Sequence, residues 1–260
     1  MHNNNLVIIH PTAKIAENVV IEPFVTIGEN VEIGEGTHIM SHASIVANTK
    51  IGKNCRIFPC AVIGAEPQDL KFTGEETFVE IGDNNTIREC VTINRGTASR
   101  GKTVIGNNCL LMAYSHIAHD CVLKNNVILS NAVQIAGEVE VDEFAIISGG
   151  VLVHQFSKIG KHVIIQGGAL INKDIPPYIM AARVPITYSG INSVGLRRRG
   201  FEDGQIADIQ NIYRIIFQSE LSVSNAVARV EAEFAQSACR DEILNFIKSS
   251  DRGILKGFGK

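Results

Sequence analysis

The sequence has no long apolar run. No stretch approaches the ~18 residues that a membrane-spanning helix needs. The opening MHNNNLVIIHPTA carries neither a basic leader nor an extended apolar segment, so no secretory signal is expected. A basic surplus is also missing. Lys and Arg number 24 against 27 Asp and Glu, a net charge of −3, so nucleic acid is not an expected partner and any polyanion contact must come from a local patch. The six cysteines contain no CxxC pair and read as reduced thiols of a cytoplasmic protein, not as a disulfide frame. What is present is 45% hydrophobic and 20% charged residues over 260 positions, enough for one large domain or a main domain with a small appendage.

The dominant pattern has a period of six. Stepping from Ile9 reaches Ile15, Ile21, Ile27 and so on to Ile63, resumes at Ile81, Ile87 and Ile93, and runs from Ile105 to Ile171. Every one of these anchors is Ile, Leu or Val. Four residues after most of them comes a small or β-branched side chain, such as Ala13, Val25, Thr37, Cys55 or Cys121. Neither the helical period of 3.6 nor the strand period of 2 fits. Short strands lined by β-branched residues, joined by turns rich in Gly and Asn, make a parallel β-helix of hexapeptide repeats. Three repeats complete one triangular coil, so residues 18 apart stack. Two segments, Gly64–Glu80 and Arg95–Val104, break the pattern but preserve its register. They are expected to project as loops, the usual carriers of function on a rigid scaffold. The β-helix is expected over 1–188. Residues 189–260 form a small C-terminal α-helical region, with Ile206, Ile209, Ile212, Ile215 and Ile216 at helical spacing.

The stretch AYSHIAHDCVLKNN (113–126) holds His116, His119, Asp120 and Cys121. The register assigns Cys55, Cys109 and Cys121 to the small core position, as free Cys prefers burial. His119 falls on the turn side, one coil below Gly137 and two below Gln155. A possible base thus stands beside a backbone N–H that no side chain guards. A surface histidine bonded to a neighbouring loop is the plain alternative. Asp120 is expected to orient His119 weakly, because neighbours along a strand point to opposite sides. His116 ends its repeat on an outward face, where a homotrimer would cover it. A three-histidine metal site from His116, His119, His154 and His162, as in γ-class carbonic anhydrases, is open in principle, but nothing in the spacing forces convergence.

The motifs QDLKFTGE, HIAHDC, VDEFAIISGGVLVHQF, DIPPYIMA and GLRRRGF span nearly the whole chain. On them the chain resembles the UDP-N-acetylglucosamine acyltransferase family of lipid A biosynthesis. The resemblance implies a left-handed winding and transfer of a 3-hydroxyacyl chain from acyl carrier protein to the sugar 3-position. It implies a homotrimer, with neither cofactor nor metal. It implies His119 as general base and Gly137 as the oxyanion N–H. Asp69, Lys71 and His116 would meet the sugar, and His154 and Gln155 would line the same cleft. Asn192, Arg198 and Arg199 would sit around the nucleotide or the carrier's phosphate, and Gly167 would mark the acyl-chain ruler.

The implied chemistry is coherent. A histidine titrating near neutrality can take the proton of an attacking hydroxyl, and a preorganised N–H stabilises the oxyanion. GLRRRGF reads either as a solvated charge run or as Arg forks for phosphate. Two positions depart from the family pattern. Glu138 follows Gly137 where many members carry histidine, and Val194 stands where relatives often carry an acid. Both bear on whether the acceptor is the hydroxyl sugar or its 3-amino analogue. The related N-acyltransferase carries an extra N-terminal domain, for which repeats beginning at Ile9 leave no room. A catalytically silent scaffold is the remaining alternative.

Overall fold

The computed structural model describes residues 6–257. Repeats of six become two-residue strands separated by tight turns, and the strands stack into three sheets of nine, eight and ten strands among the described residues. Sheet I starts at Ile8–Ile9, sheet II at Lys14–Ile15 and sheet III at Val20–Ile21. Within the repeats each sheet is the set of every third strand, paired in parallel from coil to coil. Ile9 pairs with Ile27 and Ile27 with Ile45, so one coil is 18 residues long. Ile63 pairs with Ile93, so the first projecting segment inserts 12 residues. Thr92 pairs with His116, so the second inserts six. Both insertions leave the prism unbroken, as their preserved register requires.

Anchors point inward. From Ile27 to Ile171 none is more than 3% exposed. The small residues two positions before them fill the corners of the triangle, and Cys55, Cys109 and Cys121 are buried there. Burial pushes the Cys109 thiol up to about 11 and that of Cys121 to about 12, so neither supplies a thiolate near neutrality.

The turns have their own period. Every sixth residue from Asn18 to Cys60, at Asn84 and Cys90, and from Asn108 to Gly168 has a positive φ. Asn and Gly recur there because they tolerate the left-handed region. Some of the aromatic residues at this position stack from coil to coil. Phe24 lies on His42, and Phe144 on His162, with ring centroids 4.9 Å apart in each pair. That distance is about the spacing of neighbouring strands.

Sheet III ends in a parallel strand Ile179–Ala182, and Thr187–Ile191 folds back antiparallel to it. Helices follow at once: α1 (Ser193–Arg198), α2 (Asp203–Gln218), α3 (Val223–Glu233) and α4 (Ala238–Lys248). The short α1 was not among the elements expected from the sequence. It lies in the segment read there as a basic patch. The capping box of Glu202 and Gln205 opens α2, which buries Ile206, Ile209, Ile212 and Ile216. Tyr213 on α2 is fully buried and donates its hydroxyl to the Pro177 carbonyl at 2.6 Å. Buried Asp174 accepts from the Lys158 N–H and from the Ser250 hydroxyl, which ties the C-terminal segment to the last coil. No helix is long and apolar enough to cross a membrane among the described residues.

Candidate active site

Three turn columns run along the corners of the prism. The site lies on the corner between sheets I and II. There His119, Gly137 and Gln155 stack one coil apart, and both inserted segments project over them. The first segment brings Gln68, Asp69, Lys71 and Glu75. The second brings Thr97 and Ser99. Together with His119 and Glu138 they line a cavity of about 740 Å³.

Asp120 was expected to be at most a weak orienter of His119, and the structure corrects this. The two residues are in a turn, not a strand, and Asp120 has φ +60°. The left-handed kink swings its carboxylate back beside its neighbour. Asp120 Oδ2 lies 2.8 Å from His119 Nδ1, and Asp120 is fully buried. The carboxylate also accepts the N–H groups of Thr97 and Arg100 and the Thr97 hydroxyl. With donors converging on both oxygens, the proton between Asp120 and His119 belongs to Nδ1, and Nε2 presents a lone pair.

Nε2 faces the cleft. Asp69 Oδ2 lies 3.9 Å from it. On the other side the imidazole lies against Gly137. A Cβ on Gly137 would fall 2.5 Å from both His119 Cε1 and Nε2, so glycine is what allows the ring its position. The Gly137 N–H has no hydrogen-bond partner among the described residues. The next N–H, that of Glu138, is held by the His119 carbonyl at 3.0 Å. The Glu138 side chain stands 3.8 Å from the Arg100 guanidinium, which also bonds Glu140 at 2.8 Å.

A second cleft, of about 430 Å³, opens beside the first on the outer face of sheet I. It shares Gln68, His119 and Gln155 and adds His116, Gln134 and Leu152. His116 accepts or donates a hydrogen bond with the Thr92 hydroxyl at 2.7 Å, and burial holds its imidazole below the ordinary value, hence neutral near pH 7. His154 lines neither cleft, and its Nδ1 meets the Gln155 carbonyl at 3.1 Å.

The remaining sequence-derived residues are elsewhere on the chain. Asn192 and Arg199 cap the two ends of α1 and Arg198 is its last residue, packed on the corner between sheets II and III. Asn192 is 2% exposed and both ends of its amide are engaged. Its Oδ1 caps α1 through the Gly195 N–H, and its Nδ2 donates to the His162 carbonyl at 2.8 Å. Asn192 thus fixes α1 to the prism. Arg199 lies over the Phe144 ring at 4.9 Å, while Arg198 is exposed. Gly167 is on the third corner, where an added Cβ would fall 3.1 Å from the Gly149 carbonyl. One chain therefore gathers His119, Gly137, Asp69, Lys71, Gln155 and His116, and leaves His154, Asn192, Arg198, Arg199 and Gly167 outside the two clefts. Among the described residues, no three His, Cys, Asp or Glu side chains are grouped to hold a metal ion.

Sequence reasoning gave no part to Thr97, Arg100 or Gln68. The signal for Asp120 was present: it falls on the sixth-residue position that often carries Asn or Gly.

A parallel β-helix of sixes with a histidine at its corner defines a class, the hexapeptide-repeat transferases. The profile described as bacterial transferase hexapeptide (six repeats) matches residues 102–137, and that of a GMPPB C-terminal domain matches 3–104. The profile described as UDP-N-acetylglucosamine O-acyltransferase, domain 2, matches 174–255. The acyl-[acyl-carrier-protein]–UDP-N-acetylglucosamine O-acyltransferase of Thermodesulfovibrio yellowstonii is 46% identical over 96% of this chain and 97% of that protein. The protein of the same name from Chlorobaculum parvum is 52% identical over 96% and 98%. A solved UDP-N-acetylglucosamine acyltransferase from Bacteroides fragilis superposes with a TM-score of 0.95 at 55% identity, covering 97% of this chain and 99% of that one. The Francisella novicida enzyme gives 0.95 at 42% identity, covering 98% and 94%. The chain belongs to the UDP-N-acetylglucosamine O-acyltransferase family, and its fold is the left-handed parallel β-helix.

Proposed function

We propose that this chain transfers a 3-hydroxyacyl group from acyl carrier protein to the 3-hydroxyl of UDP-N-acetylglucosamine, the first step of lipid A biosynthesis, in the cytoplasm. The observation that carries the reading is the cleft geometry: an imidazole held by a buried carboxylate, with its free nitrogen beside an unbonded N–H. His119 Nε2 takes the proton of the sugar hydroxyl as that oxygen attacks the thioester carbonyl. The C–O bond forms and the carbonyl oxygen becomes an oxyanion. The Gly137 N–H stabilises it, an effect of about 3 kcal/mol for one such donor. The intermediate then collapses, the C–S bond breaks, and the leaving thiolate takes the proton from Nε2. Asp120 and Asp69 flank the imidazolium formed between the two steps. In this reading Asp69, Lys71 and His116 hold the sugar.

The acting unit in this reading is a homotrimer. Outward residues of sheet II are mostly charged and form ladders such as Lys14–Glu32–Lys50 and Lys102–Glu80. Those of sheet I carry no Asp, Glu, Lys or Arg, and Leu152 and Leu170 there are 47% and 66% exposed. Sheet III is nearly as free of charge. Two uncharged faces and one charged face suit a threefold assembly in which sheets I and III are covered. Such packing would bring a neighbour's Gly167, Arg198 and Arg199 toward the open side of each cleft. The test is mass spectrometry of products from a panel of 3-hydroxyacyl carrier proteins with UDP-N-acetylglucosamine and its 3-amino analogue. Ester formation on the hydroxyl sugar is expected. Amide formation on the analogue alone would replace the acceptor, and no product from any pairing would overturn the reading.

A further inference from the structure

The second inserted segment has no part in the reaction as written above. It folds back over the turn that carries His119 and encloses Asp120. The Thr97 N–H reaches both carboxylate oxygens, at 3.0 and 3.1 Å, and the Thr97 hydroxyl reaches Oδ2 at 2.6 Å. The Arg100 N–H reaches Oδ1 at 3.2 Å. Oδ2 is the oxygen that His119 Nδ1 shares. The backbone of Asp120 is set from beneath, where its N–H donates to the buried Thr103 hydroxyl at 2.9 Å.

The segment itself is braced from outside. Ala98 N–H donates to Glu75 of the first segment at 3.0 Å, and Gly96 N–H to the Phe78 carbonyl at 3.2 Å. The Arg100 guanidinium is anchored on Glu140, two coils above. Thr97 is 8% exposed, so its hydroxyl has little water to turn to if Asp120 is removed.

We propose that Thr97 is a positioning residue for His119, acting through Asp120. Its hydroxyl fixes the rotation of the carboxylate so that Oδ2 faces Nδ1. This holds the imidazole in the tautomer whose Nε2 lone pair faces the cleft. The inference rests on the acyl-transfer reading, since it assigns His119 the base role. Thr97→Val removes the donor and keeps the shape, while Thr97→Ser keeps the donor. In assembled, full-length protein, Thr97→Val should lower kcat about tenfold to a hundredfold, the range that one hydrogen bond to a charged group spans. KM for the UDP-sugar should stay within about twofold, because the lost interaction matters to the reaction rather than to binding. Thr97→Ser should turn over at nearly the wild-type rate. Nitrogen-15 shifts of the His119 ring give a readout independent of activity: one Nδ1–H tautomer in wild type and Thr97→Ser, and a mixture in Thr97→Val. Wild-type turnover in Thr97→Val, a raised KM with kcat intact, or an unchanged tautomer would each overturn the proposal. Loss of the reaction itself would show instead as a wild-type protein that makes no product.

Discussion

Acid should weaken this protein through His162. The residue is 8% exposed, with its ring between Phe144 at 4.9 Å and Tyr178 at 5.7 Å and the Phe201 ring edge-on at 5.2 Å. Its Nδ1 has no hydrogen-bond partner among the described residues. Burial first, then the charges of Arg199 and Lys161, push the imidazole from its ordinary 6.5 down to about 4, against an opposing pull from Asp142. The unfolded chain therefore binds a proton below its ordinary value, and the folded chain only near pH 4. Stability is fully present above the unfolded pKa and is lost as the pH falls from there to the folded one. At 1.36 kcal/mol per unit the loss is roughly 2 kcal/mol by pH 5 and roughly 3 kcal/mol by pH 4. His162→Phe keeps the stack and removes the titration, and Phe144 and Phe156 already hold the same left-handed backbone. Carboxylates held low by their partners, such as Glu22 and Glu231, weaken both proteins alike and cancel in the comparison. Urea denaturation at fixed protein concentration should show wild type losing roughly 2 kcal/mol more than His162→Phe between about pH 7 and about pH 5. In a thermal scan that is about 4–8 °C of extra loss. Equal losses in the two proteins would refute the reasoning.

Asn192→Ala removes the cap of α1 and leaves the His162 carbonyl without its donor, so a loss of about 2–3 kcal/mol in denaturant is expected, and an unchanged midpoint would contradict it. Gly137→Ala places a methyl against the imidazole and should lower kcat roughly 10²-fold with little change in melting temperature, and full activity would show that the ring is not confined. Leu170→Arg puts a charge on the uncharged face of sheet I and should leave a folded but unassembled chain by light scattering. Retained assembly in that variant would move the interface elsewhere.

Most of the prism was legible because its signal is local and repeated. An inward Ile, Leu or Val every six residues specifies strand, corner and stacking together, and insertions of 12 and six residues leave that register intact. The same register put His119 beside Gly137 before any contact was known. It failed at Asp120, because a strand rule was applied where the backbone turns left-handed. It failed at α1, whose six residues are too few to show a helical period and whose cap, Asn192, acts through a contact 30 residues away in sequence. Thr97 and Arg100 were invisible for a related reason. Projecting segments have no period, and their fold is set by what they close over. Nor could the register place Asn192, Arg198 and Arg199, which lie beyond the repeats at a helix whose seat on the prism is set by tertiary contacts.

The central claim is that His119 is the base of the transfer. Its most direct test is the steady-state rate of His119→Ala with UDP-N-acetylglucosamine and 3-hydroxyacyl carrier protein, on a variant whose melting temperature matches wild type. Turnover should fall by about 10²–10⁴-fold, the contribution of a positioned proton acceptor. Turnover within a few-fold of wild type would contradict it.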